Sequence, residues 1–164
     1  MRRRTRAREL AVQFLYILDL RGPEVMDQLV SFLQEGSRDR EVQEFALRLI
    51  TGTRDTMDVV DKKLSSVARN WEISRMAVVD RNILRMAIFE LLYCDDIPPK
   101  VTINEAIELG KRFSTANSGS FINGILDRVK NQASAGKKDA PAEGGKKATK
   151  QEPGPPGKKE PEEK

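Results

Sequence analysis

Histidine is absent from all 164 residues. That absence removes His-based general acid–base chemistry, catalytic triads and His-ligated metal sites. A single cysteine, Cys94, rules out an internal disulfide and fits a reducing compartment such as the cytoplasm. It lies in the apolar run Leu91-Leu92-Tyr93-Cys94, where a buried thiol is expected rather than a nucleophile. No stretch approaches 18 consecutive apolar residues, so no membrane span is expected. Walker-type and dinucleotide-type glycine loops are missing as well. The acidic pairs that remain, Asp95-Asp96 and Glu105 with Glu108, fit a helix end and a helix cap. Little is left for an enzyme to use, and no catalytic residue, cofactor or metal is expected.

From Gln132 onward the chain has no Val, Ile, Leu, Met or aromatic residue, but holds five of the eight prolines and eight lysines. Such a segment cannot bury enough apolar surface to offset the entropy of ordering, and residues 132–164 are expected to form a disordered tail. Residues 1–131 carry 21 basic and 19 acidic side chains. The folded part is nearly neutral, so binding must depend on where the charges sit.

They concentrate at the start. Arg2, Arg3, Arg4, Arg6 and Arg8 lead into Ala7, Leu10, Ala11, Phe14, Leu15 and Leu18, whose steps of three and four mark one helix face. Guanidinium offers a fork of donors suited to phosphate and keeps its charge at physiological pH. A polyanion dock, most readily nucleic acid, is one reading; a solvated basic tail is another. A targeting peptide fits less well, because Glu9, Gln13 and Asp19 interrupt the segment.

The remaining periodic segments also read as helix, without strand alternation or internal repeat. The first helix spans about 5–20 and closes at Gly22-Pro23. A short second helix ends at Gly36, and Ser37 or Asp39 caps a long third one reaching about 67. A joint with one short helix around Trp71 leads to the most apolar helix, with Val79, Ile83, Leu84, Ala87, Ile88, Leu91 and Leu92 on one stripe. After Pro98-Pro99, Thr102-Ile103-Asn104-Glu105 fits a capping box. A polar loop over 114–119 precedes the last helix. About seven helices without a sheet point to an all-α fold of two packed bundles, roughly 1–70 and 71–131. Arg81 and Arg85 share a face opposite the apolar stripe, Lys100 follows the proline turn, and Lys111-Arg112 ends the capping-box helix. Each is a candidate anion contact, or else a dipole partner or solvated charge. Tyr16 lies near the arginines, as a base-stacking surface or a rim residue of the core.

Several blocks together carry a resemblance. Arg4-Thr5-Arg6-Ala7-Arg8-Glu9 with Ala11-Val12-Gln13 and Leu15-Tyr16 resembles the opening of the NusB family of bacterial transcription antitermination factors. So do Asp80-Arg81-Asn82-Ile83-Leu84-Arg85-Met86-Ala87, the run Val101 to Lys111 after Ile97-Pro98, and Ser120-Phe121-Ile122-Asn123-Gly124-Ile125-Leu126-Asp127. The likeness covers residues 2–131 and omits the tail.

The resemblance implies a NusB-like fold that acts without catalysis. It would pair with NusE, a small-subunit ribosomal protein, and hold the single-stranded boxA element of nascent RNA, notably from ribosomal RNA operons. The pair would join other Nus factors on RNA polymerase. Carried over, Arg2, Arg3, Arg4, Arg6 and Arg8 would meet RNA phosphates, with Gln13 and Tyr16 beside them. Arg85, Lys100, Asn117, Ser120 and Phe121 would complete the RNA surface, and Asp80 would lie toward NusE. The loop Ser114 to Ser120 lacks the charges many relatives place there. Five phosphate contacts on a single strand imply a log–log salt slope of about −3.5. The rival readings are a helical adaptor whose arginines meet an acidic protein, and a stand-alone module for ribosomal RNA processing.

Overall fold

The computed structural model describes residues 2–139, with side chains to residue 133. Among the described residues there are seven α-helices and no strand. They are α1 (Arg3–Arg21), α2 (Leu29–Gly36), α3 (Arg40–Asp55), α4 (Met57–Val67), α5 (Val78–Tyr93), α6 (Pro99–Phe113) and α7 (Ser118–Asp139). Short 3-10 turns occupy Pro23–Gln28 and Ile73–Arg75. Residues up to Lys130 make one compact unit. Residues 132–139, read as tail from their composition, are the last turns of α7. Gln, Ala and Lys favour helix, and extending a formed helix costs less than starting one. The rest of the expected tail lies outside the described residues.

Local chemistry sets most boundaries. Gly22 closes α1 at φ 98°, a value a side chain would strain, and its N–H donates to the Leu18 carbonyl. Asp39 caps α3 by accepting the Glu41 N–H at 2.9 Å. The expected long third helix is broken at Thr56, whose Oγ1 donates to the Gly52 carbonyl at 2.7 Å alongside its own N–H. Hydroxyl competition of this kind bends a helix. It makes two helices, α3 and α4, of one periodic stretch. Gly52 itself serves packing: the Phe89 ring lies where its Cβ would be.

The capping-box expectation is also corrected. Pro99 starts α6 a turn earlier, as suits a residue with no N–H to lose and φ already helical. Thr102 is therefore inside the helix, 2 % exposed, and its hydroxyl turns inward.

The central element is α5, which packs against α1, α3, α4 and α6. Ile83, Leu84, Ala87 and Ile88 are buried at its centre, and the apolar side chains form one continuous cluster. Buried apolar residues of α1–α4 and of α5–α7 both belong to this cluster. Each fully buried Leu or Ile contributes about 1.5–3 kcal/mol by leaving water.

One ion pair sits inside this cluster. Arg8 Nε and Nη2 donate to Glu90 Oε2 and Oε1 at 2.9 and 2.8 Å, and Thr102 Oγ1 donates to Glu90 Oε1 at 2.8 Å. Glu105 lies 3.6 Å from Arg8 Nη1. The side chains of Arg8 and Glu90 are 3 % and 1 % exposed. Arg8→Ala or Glu90→Ala should each cost about 3–5 kcal/mol, read as a fall in the urea midpoint, because a buried charge loses its partner. The joint replacement Arg8→Met with Glu90→Leu should cost much less. Equal losses in single and joint variants would contradict this account.

Cys94 is buried at the end of α5, and burial pushes its thiol up to about 11. Alkylation of the native protein at pH 8 should therefore be many-fold slower than after unfolding. Equal rates would show that the thiol is accessible.

Candidate nucleic-acid interface

Four of the five opening arginines lie in α1 itself, with Arg2 as its N-cap, and no acidic residue occupies the first turn. Positive charge here opposes the helix dipole, so the neighbouring elements supply carboxylates. Arg3 meets Asp39 and Glu41 at 2.7 and 3.2 Å, and the Arg3 hydrogen bond and charge hold the Asp39 carboxyl below its ordinary value. Arg4 stacks on the Phe45 ring at 4.3 Å, with Asp96 at 3.9 Å. Arg48 faces the same ring and holds Asp96 through two bonds of 3.1 and 2.7 Å. Arg6 Nη1 donates to Glu9 and its Nη2 to the Gly36 carbonyl. Among the described residues, Arg2 makes no ion pair. Exposed pairs such as those of Arg3 are worth about 0–1 kcal/mol and can be traded for a phosphate.

Arg8 does not belong with them. It is buried beneath Phe45 and held by Glu90, with Glu105 beside it, so it is shut off from a phosphate at the surface. Arg85 is a second correction. Its side chain is 13 % exposed and donates to Asp61 at 2.8 and 3.0 Å and to Asp19 at 3.1 Å. Arg81 meets the same Asp19 at 2.7 Å, and Asn82 donates to it at 2.9 Å. The face opposite the apolar stripe is thus an α1–α5 clasp, not an open cationic surface.

One side of α1 and its N-cap forms a line. Arg2, Arg6, Glu9, Gln13 and Tyr16 recur at steps of three and four along α1. Tyr16 is 38 % exposed and Gln13 half-buried. Within this line Glu9 is buried under two guanidiniums, Arg6 at 3.1 Å and Arg112 at 3.2 Å. The Glu9–Arg112 pair ties α1 to the end of α6. Arg112 was already a candidate anion contact or dipole partner in the sequence, whereas Glu9 was not part of the expected surface, and no local signal marks a contact between helices so far apart in the chain.

The loop after α6 is shorter than expected, because Ser118 begins α7. Ser118 is buried, donates to Asp80 Oδ2 at 3.2 Å, and accepts the Thr115 N–H at 3.3 Å. Asp80 is half-buried, and its Oδ1 is enclosed without a hydrogen-bond partner. It anchors the start of α7 and is not a fully exposed carboxylate. Asn117 and Ser120 are exposed, and Phe121 is half-buried with its ring edge-on to Trp71 at 5.6 Å. Lys100 is exposed on the first turn of α6, whose next turns bring Thr102 to Glu90 and Glu105 to Thr5. Lys100 thus sits at the α1-start end, and Asn117, Ser120 and Phe121 at the other.

No cluster of three or more metal-ligating side chains occurs among the described residues, and no described helix is long and apolar enough to cross a membrane. Helices that present cations and a tyrosine along one surface form an all-α protein with a candidate docking surface for a polyanion. The NusB family model matches residues 5–131, and the chain belongs to this family of transcription antitermination factors, which is non-catalytic. It is 46% identical over 129 residues to the transcription antitermination protein NusB of Syntrophus aciditrophicus (strain SB), covering 79% of this chain and 80% of that protein. It superposes on T. maritima NusB with a TM-score of 0.69 at 40% identity, covering 80% of this chain and 92% of that one. A crystal structure of antitermination factors NusB and NusE in complex with dsRNA contains a chain similar at TM-score 0.73 and 26% identity, covering 80% of this chain and 98% of that one.

The Asp19 clasp generates a pH prediction. Burial alone would raise its carboxyl, but hydrogen bonds from Arg81 and Asn82 and the charges of Arg85 and Arg81 hold it below the ordinary value. A carboxyl depressed by folding stabilises above its unfolded value, about 3.9, and that stability is lost as pH falls through the folded value. Urea midpoints should therefore fall on going from pH 5 toward pH 2, and Asp19→Asn should show a shallower fall. An identical pH profile in that variant would overturn the assignment.

Proposed function

We propose that this protein binds the boxA element of nascent RNA, single-stranded and notably from ribosomal RNA operons, together with NusE. In this reading the pair joins other Nus factors on RNA polymerase and suppresses termination. The observation that carries it is the line of exposed Arg2 at the N-cap, half-buried Arg6 and Gln13, and exposed Tyr16 along one side of α1, flanked by the exposed Arg3 and Arg4. Phosphates would exchange with the weak surface pairs of the arginines, while Tyr16 and Phe121 offer ring faces or edges to unstacked bases. Lys100 would extend the phosphate contacts at one end, and Asn117 and Ser120 would supply polar contacts at the other. NusE is assigned to the side around Asp80, where α5 meets α7. A relative solved with NusE and dsRNA supports the pairing of the two proteins and an RNA ligand.

With Arg8 withdrawn, four arginines and Lys100 remain for phosphate. They imply a log–log salt slope of about −3.5, so affinity should fall about 130-fold between 50 and 200 mM salt. Fluorescence anisotropy with a boxA-type strand, a scrambled strand and a duplex, with and without NusE, measures this. Arg2→Ala, Arg3→Ala and Arg6→Ala combined should cut the slope by about 2.1 without lowering the melting temperature by more than a few degrees. Preference for boxA that sharpens with NusE is the expected result. Equal binding to all three RNAs, or an unchanged slope in the triple variant, would sink it, and no binding at all would favour the acidic-protein adaptor.

A further inference from the structure

We propose that Arg112 is an RNA phosphate contact of this protein and that Glu9, buried beneath it, is the positioning residue that aims Arg112 and Arg6 together. The inference rests on the RNA reading above and adds to it a residue and a device.

Glu9 is 2 % exposed, and each of its oxygens meets a different guanidinium: Oε1 meets Arg6 at 3.1 Å, Oε2 meets Arg112 at 3.2 Å. A carboxylate so buried persists as a charge only if paired. Here two cations share one anion, so the cluster keeps a surplus positive charge. Both cations reach it from the surface, with 36 % and 56 % of their side chains exposed. Arg6 spends a second donor on the Gly36 carbonyl. Arg112 gives one nitrogen to Glu9 and rests near the Phe113 ring at 5.4 Å, which leaves most of its five N–H groups for a ligand.

The surroundings favour an anion. An open cleft of about 460 Å³ is lined by Arg2, Thr5, Glu9, Glu105, Lys111 and Arg112, among others. Its acids are paired: Glu9 with Arg6 and Arg112, Glu105 with Thr5 and Arg8, and Glu108, which also lines the cleft, with Lys111 across an exposed contact. Arg2 is not. Arg112 also stands in the right place, one residue before the end of α6 and the segment carrying Asn117, Ser120 and Phe121. It therefore joins the α1 line to that segment. A purely structural Arg112 would neutralise Glu9 and the α6 dipole and contribute nothing to RNA.

The full chain decides between these with a salt series of anisotropy titrations on the boxA-type strand. Arg112→Ala should weaken binding and reduce the slope magnitude by about 0.7, so that its affinity falls about 2.6-fold less than the parent's between 50 and 200 mM salt. Arg112→Lys should keep the slope, since the charge remains. Glu9→Gln should weaken binding less in the Arg112→Ala background than in the parent, because one of the groups it orients is already gone. Should Glu9→Gln fail to fold, Arg112→Ala carries the test alone. If Arg112→Ala binds like the parent while Arg3→Ala lowers the slope, the inference is overturned and the RNA reading stands. Absence of RNA binding by the parent removes both.

Discussion

The Arg8–Glu90 pair fixes how α1 is rotated, and the rest of the surface follows from that rotation. Thr102 and Glu105 close the same site from α6, so three helices meet at one desolvated charge. A helix turns 100° per residue. With Arg8 pointed at α5, Ala11 and Leu15 follow it inward, while Arg2, Arg6, Gln13 and Tyr16 are carried to the outer side. Replaced by apolar residues of similar volume, such a pair is often as stable or more so. Its value here is register: an uncompensated charge makes every other rotation of α1 costly.

A second polar lock lies about three turns further along α1, again against α5. Asp19 takes Arg81, Arg85 and Asn82, which fixes the far end of α1 against the start of α5. Between Glu90 and Asp19 the two helices run antiparallel under one shared apolar core. Arg3, Arg4, Arg6 and Arg112 lie outside both locks, each with a carboxylate near enough to orient it while its own side chain stays at least a third exposed. That difference in burial, rather than any difference in residue type, separates sealed from accessible arginine among these residues.

Much of the fold was legible because it rests on local or periodic signals. The apolar stripe of α5, the Gly22-Pro23 stop and the Asp39 cap each need only a few neighbouring residues to be read. The blocks from Arg4 to Tyr16 and from Val101 to Lys111 were enough to point to the NusB family. The break at Thr56 escaped because the apolar period continues through it, while a side-chain hydroxyl redirects the backbone. The early start of α6 escaped because Thr102 and Glu105 have the spacing of a capping box although Pro99 begins the helix first.

The candidate surface divided along the same line. Sequence by itself determined that arginines crowd the first turns of an amphipathic helix, that no histidine chemistry exists, and that helices alone build the fold. It could not sort Arg8 from Arg6, or Arg85 from Arg112, since all four have the same charge and reach. Only the tertiary structure decided that, by setting Glu90 beside Arg8, Asp61 beside Arg85, and Glu9 under both Arg6 and Arg112. Those partners lie on other helices or other turns, and whether a paired arginine is sealed from water depends on packing that no local pattern encodes.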